Sequence, residues 1–312
     1  MSTSTVLEST LKSTDTEDFV DIYFYRPTGY QGALFFRKSG ITPNQITLIS
    51  IFIGIASGIC FYFTDLRINV LGIFLLIGVN ILNSAHRQLA RMTGQKSALG
   101  RILDRICGIF RFVPIYIAIT CRLWPEWNIW ILILTLFSGY CHTSQTALAD
   151  YYRNIHLLFL KGKNGNKLDN SMILYRNYKK LSWTKKPVLK FFQLIYLNYT
   201  EKQEFWTPKM QQMQGILRIQ YHEEFPEWFK KQYRKKSLPL IPYTNLLSFN
   251  LRSIVLFTCV IINYPCIYFI FEITIMNGML FYMIRQYERI CHKFRIKLEY
   301  FSIKNNFENN NE

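Results

Sequence analysis

The sequence predicts an all-α polytopic membrane protein with six transmembrane helices, an interfacial N-terminal segment and a cytoplasmic insert. Three observations predict it. Long uncharged apolar runs recur, and one of them, Ile46 to Phe63, has the eighteen residues needed to cross a bilayer as a helix. The segments between the runs alternate between rich and poor in Lys/Arg. Half of the 312 residues are apolar, yet 37 Lys/Arg and 20 Asp/Glu are segregated from most of those runs rather than scattered through them.

The elements follow in order along the chain. Residues 1–17 are polar, Ser/Thr-rich and partly acidic, and are expected to form a flexible tail with no cleavable signal peptide, since they lack an apolar core. Residues 18–42 mix aromatic with polar side chains and contain Arg26, Pro27 and Gly29, a pattern expected to lie in the membrane interface. Residues 43–149 hold the first four spans. Pro43 suits the first turn of a helix within Thr42-Pro43-Asn44-Gln45-Ile46-Thr47, and that span ends near Phe63. After a turn at Asp65 and Arg67, the run Ile68 to Leu82 continues as one helix into the polar stretch Asn83 to Arg91. The third span runs from near Leu99 to about Cys121, the turn Arg122 to Asn128 carries interfacial Trp124 and Trp127, and the fourth span covers roughly Ile129 to Ala149.

Residues 150–245 form a basic insert with 18 Lys/Arg against seven Asp/Glu, a net +11 out of +17 for the chain. Abundant aromatics argue for short helices packed on the membrane surface. Residues 246–285 supply spans five and six, and 286–312 form a basic, then Asn-rich, cytoplasmic tail. The rich segments are the N-terminal approach (Arg26, Arg37, Lys38), the loop with Arg87, Arg91, Lys96 and Arg101, the insert, and the tail. The poor ones hold Arg67 alone, Arg122 alone, and no charge at Asn263-Tyr264-Pro265. By the positive-inside rule this places both termini in the cytoplasm, with the charge directed at anionic headgroups rather than at nucleic acid. The seven Cys make no CxxC pair, so neither a disulfide framework nor a zinc site is expected.

The polar stretch NSAHRQLARMTGQKSALGRILDRICG, Asn83 to Gly108, carries the chemistry. Polar groups at the ends of adjacent membrane helices mark a functional site, because burying them unpaired is expensive. Asn83, His86, Ala90 and, slightly round the helix, Arg91 share a face, and Gly100, Asp104 and Gly108 follow at intervals of four.

This stretch resembles the CDP-alcohol phosphotransferase (phosphatidyltransferase) signature D-x2-D-G-x2-A-R-x8-G-x3-D-x3-D. Ala90-Arg91 and Gly100-x3-Asp104 match with the eight-residue spacer intact, and the six spans and the Thr42-Pro43-Asn44-x2-Thr47 start of the first span fit the same family. The resemblance implies phospholipid synthesis in the cytoplasmic (inner) membrane, with CDP-diacylglycerol and membrane phospholipid as ligands, CMP as leaving group, and a homodimer or a heterodimer with a paralogue. It also implies Mg or Mn held by Asp side chains, with the last Asp as base. Here Asn83 and His86 stand where the family has its first two Asp, Arg87 replaces the Gly, and Gly108 replaces the base. Hard divalent cations favour carboxylate oxygens. Asp104 is therefore the one motif carboxylate left for metal, with His86 a softer donor. Two expectations stand. One is a catalytically degenerate member that keeps a phosphate or headgroup site at Arg87, Arg91 and Arg101. The other is an active transferase with carboxylates drawn from elsewhere, such as Asp150, Glu272 or Glu288.

Elsewhere, His142 with Ser144 is expected to make a helix-packing contact. Glu272, in YFIFEITIM, is either a site residue or paired with Asn277 or Arg252. Gly54, Gly58, Gly72 and Gly78 are expected to permit close helix approach.

Overall fold

The computed structural model describes residues 15–94, 98–161, 169–221 and 225–309, with 98–110 and 301–309 described in backbone only. The described residues are helical, with no strand among them. The elements are α1 (Arg26–Lys38), α2 (Pro43–Tyr62), α3 (Leu66–Thr93), α4 (Ala98–Trp127), α5 (Ile129–Lys161), α6 (Ser171–Lys180), α7 (Pro187–Phe205), α8 (Pro208–Tyr221), α9 (Glu227–Ser237), α10 (Ile241–Leu246), α11 (Phe249–Ile261), α12 (Cys266–Phe271) and α13 (Asn277–Asn309). Single π-helical turns precede α1 (Asp21–Tyr25) and α13 (Glu272–Met276), and a 3-10 turn at Leu238–Leu240 links α9 to α10.

Among the described residues, four helical stretches are long and apolar enough to cross a membrane: Pro43–Tyr62, Leu66–Thr93, Glu227–Ile261 and Cys266–Tyr300. They contain the first two and the last two spans read from the sequence. The expected third and fourth spans coincide with α4 and α5, which are not among the four. The motif stretch Asn83 to Arg91 does continue the second span as one helix, α3.

The chain forms two compact units. The first comprises Met1–Thr143 with Ser248–Ile275. Its α2 begins at a capping box: the Thr42 backbone N–H donates to Gln45 Oε1 at 2.8 Å, and Gln45 N–H donates back to Thr42 Oγ1 at 3.4 Å. Helices α2, α3 and α4 then approach closely at two glycines. A Cβ on Gly58 would lie 2.8 Å from the Pro114 carbonyl carbon, and one on Gly72 would lie 2.8 Å from Cys60 Cβ. Gly72 also presents its carbonyl to the buried Ser57 hydroxyl at 2.8 Å. The expectation for the other two glycines is not met in the same way: Gly54 has only Val79 at 3.9 Å, and Gly78 faces open space.

The Lys/Arg-poor end of this unit is tied together by Arg122. Its guanidinium donates to the Phe61 carbonyl at 3.1 Å, satisfying a helix-end acceptor of α2, and also to the Asn263 side chain. Asn263 sits in the left-handed region (φ 64°), where it ends α11 by a Schellman pattern: Tyr264 N–H donates to Cys259 O at 2.9 Å and Asn263 N–H to Val260 O at 3.1 Å.

The second unit comprises Ser144–Leu247 with Met276–Glu312. Its core is aromatic. Tyr152 stacks on Tyr287 at 4.0 Å between centroids, and Phe159 meets Phe229 and Tyr233 edge to face. The Glu288 carboxylate accepts from the Lys209 and Met210 N–H groups at 2.7 and 3.2 Å, filling the N-terminal donors of α8. The basic insert and α13 are thus one packed body, and α5 runs without interruption past residue 149.

Candidate functional site

The motif helix α3 is fixed on two sides. Toward α2, His86 Nδ1 lies 2.8 Å from the Pro43 carbonyl and 3.0 Å from Thr47 Oγ1. A carbonyl only accepts, so Nδ1 carries a proton in this arrangement. The Thr-Pro-Asn-x2-Thr start of α2 and the motif histidine are therefore parts of one joint. Toward α1, Gln88 Nε2 donates to the Arg26 carbonyl at 2.9 Å. Gly29 lies so near α3 that a Cβ there would come within 2.6 Å of Ser84 Cβ. Arg26 in turn pairs with Glu17 at 2.5 Å, and burial lowers the pKa of its guanidinium while that carboxylate opposes the shift.

One turn deeper on the motif helices, Arg111 donates to Asn80 Oδ1 at 2.7 Å and so links α4 to α3. Its guanidinium lies 5.1 Å over the Phe249 ring, a cation–π contact. Tyr25 packs edge-on against the same ring at 6.3 Å, and Asn250 bonds Asp18 at 2.5 Å. The N-terminal segment, α3, α4 and α11 thereby meet around one fixed cation. Arg111 lies three residues past Gly108, and Asn80 three before Asn83.

Of the sequence-predicted positions, Asn83, His86, Arg87, Ala90 and Arg91 lie half-buried on α3. Gly100, Arg101, Asp104 and Gly108 fall on the backbone of α4, and their side chains lie outside the described residues. Among the described residues no group of three His, Cys, Asp or Glu side chains converges as a metal site. Asn83 offers a neutral amide and His86 an imidazole tied by one nitrogen, whereas hard divalent cations favour carboxylate oxygens.

A second polar cluster lies inside the first unit. Glu272 is fully buried, beside Arg252 at 1% and His142 at 3% exposure. Arg252 donates to Glu272 Oε1, Tyr268 OH donates to the same oxygen at 2.7 Å, and Ser138 Oγ donates to Oε2 at 2.5 Å. Tyr116 OH also donates to Oε2, and His142 Nδ1 stands 3.1 Å from Oε1. Of the two polar neighbours named for Glu272 from the sequence, Arg252 pairs with it. Asn277 instead accepts from Gln145 at 2.7 Å. The carboxylate begins a π-helical turn, a local widening found often at functional positions. Sequence reading flagged Glu272 for its charge in an apolar run. It missed Tyr116 and Ser138 as partners, because a hydroxyl in a span carries no anomaly of its own.

Fold and site together define an integral helical membrane protein with a polar cluster at the joined ends of its first helices. Residues 40–157 match the sequence model of the CDP-alcohol phosphatidyltransferase family, a stretch that takes in α2, α3, α4 and most of α5. No curated protein shows a significant sequence match to the chain.

Proposed function

We propose that this protein is a phospholipid-synthesis membrane protein of the CDP-alcohol phosphatidyltransferase type that has lost the two-metal chemistry and binds a lipid phosphate through Arg87, Arg91 and Arg101, alone or beside an active paralogue. The family match over residues 40–157 supports the setting. One observation carries the loss: the motif imidazole of His86 is spent on the Pro43 carbonyl and Thr47 hydroxyl. It serves as a joint between helices at a position where the family places a metal carboxylate.

The proposed topology is six spans, with α4 and α5 completing the four apolar stretches, both termini cytoplasmic in the inner membrane, and residues 18–42 in the interface. Phe19, Tyr23 and Phe35 support the interfacial placement, since each is more than 60% exposed.

The test is CMP release from CDP-diacylglycerol by the purified chain, with Mg or Mn and a panel of alcohols, beside binding of CDP-diacylglycerol in chelator. The expected result is binding without turnover, weakened roughly tenfold by Arg91→Gln. Metal-dependent CMP release that disappears in Asp104→Ala overturns the proposal and establishes the second reading, an active transferase.

A further inference from the structure

The second unit contains a cleft whose charge is not balanced from within. Helices α9 and α13 and the Leu238–Leu240 turn line an open cleft of about 660 Å³. Its cations are Lys235 and Lys236 from α9 and Arg289, Lys293 and Lys297 from α13, and among the described residues no acidic side chain lines it. Arg289, Lys293 and Lys297 recur every four residues, so they stack on one helical face, where like charges repel. Lys235 and Lys236 then face that stripe from α9.

Three carboxylates on α9 and α13 are engaged elsewhere. Glu288 accepts from the backbone at the start of α8, Glu299 pairs with Arg295 at 3.5 Å, and Glu227 pairs with Lys230 at 2.7 Å. Lys297 is held in place by Gln232 Oε1 at 2.9 Å and by the Trp228 ring at 4.9 Å. A cleft of this volume is within the range of small-ligand sites. It also begins where α13 leaves its apolar stretch, at Tyr282, and becomes cationic toward Lys297. Apolar lining at Leu240 and Tyr282 beside the cations fits the phosphate end of an amphiphile or a soluble phosphate ester.

We infer that the cleft between α9 and α13 is a binding site for a phosphate-bearing anion, built from residues other than those of the motif on α3 and α4. The inference does not depend on the transferase reading, because none of its residues belongs to the matched stretch 40–157. Two or more ammonium or guanidinium groups around one phosphate supply charge-assisted hydrogen bonds, which are stronger than neutral ones.

The test uses the full chain in detergent micelles. Inorganic pyrophosphate is titrated by calorimetry, and retained phosphatidylglycerol is counted by native mass spectrometry after reconstitution in mixed phosphatidylglycerol–phosphatidylcholine nanodiscs. Arg289→Gln with Lys293→Gln is expected to weaken the bound anion roughly tenfold. Lys235→Gln with Lys236→Gln, on the facing helix, provides the same loss if the first pair impairs folding. Lys179→Gln with Lys180→Gln removes equal charge from α6, outside the cleft, and should leave binding within about twofold. Retained lipid displaced by pyrophosphate supports a headgroup site, and pyrophosphate binding without retained lipid supports a soluble ester. Failure of both ligands to bind, or equal loss in the α6 control, overturns the inference.

Discussion

Glu272 is the residue on which the interior of the first unit turns. Its oxygens accept from Tyr116, Ser138, Tyr268 and Arg252, with His142 alongside, so both lone-pair sets are filled in a medium with no water to substitute. Removing one partner of a buried ion pair strands the other charge. Glu272→Leu is therefore expected to destabilise the protein by about 3–5 kcal/mol, leaving Arg252 unbalanced. Adding Arg252→Met should recover most of that loss, since two apolar side chains of similar volume replace the pair. Unfolding of the single and double variants in mixed micelles measures both. A double variant as unstable as the sum of the singles would mean the two residues act independently. The charge of Glu272 was legible in the sequence, as was Arg252 as one of two partners. Its surroundings were not, because Tyr116, Ser138 and His142 come from helices whose mutual rotation no linear pattern fixes.

At the scale of elements, the glycines separate close approach from mere occurrence. The sequence offered four of them in the first two spans on equal terms. In the structure, Gly58 meets the Pro114 backbone and Gly72 meets Cys60 and Phe61, while Gly78 faces open space. Gly58→Ala and Gly72→Ala should each cost about 1–3 kcal/mol, because backbone or Cβ atoms must shift to admit the methyl. Gly78→Ala should instead stabilise α3 by roughly 0.5–1 kcal/mol, the usual gain from replacing a helical glycine. The same unfolding measurement ranks the three, and equal effects would refute the packing argument. The start of α2 was more legible. Thr42, Pro43 and Gln45 form a local cap that depends only on neighbours in sequence, and the structure contains it. The His86 joint was not legible, since it links positions 43 residues apart.

At the scale of the whole molecule, topology is the open quantity with a direct measurement. The charge alternation predicts that the turn after α4 lies outside and the N-terminal helix inside. Glu126 is exposed in the last turn of α4, beside it. In a background with the seven native cysteines replaced by serine, Glu126→Cys should react with an impermeant maleimide added to intact cells, and Ser39→Cys only after lysis. Labelling of position 126 only after lysis would remove α4 and α5 from the bilayer and leave four spans. Neither result disturbs the helices themselves, because the apolar runs and caps that set them are local.

The sequence by itself determined the helical membrane class, the extents of the first two spans, the segregation of basic charge and the family resemblance over the motif. Each of these is a property of composition or short-range spacing. Only the tertiary structure decided which polar groups meet: His86 with the start of α2, Arg111 with Asn80, Glu272 with Arg252 and His142, and the lysines of α9 with those of α13. Such meetings depend on how whole helices are rotated and packed. Burial then requires every polar group to find a partner, and that requirement leaves no mark on the sequence around any one of them.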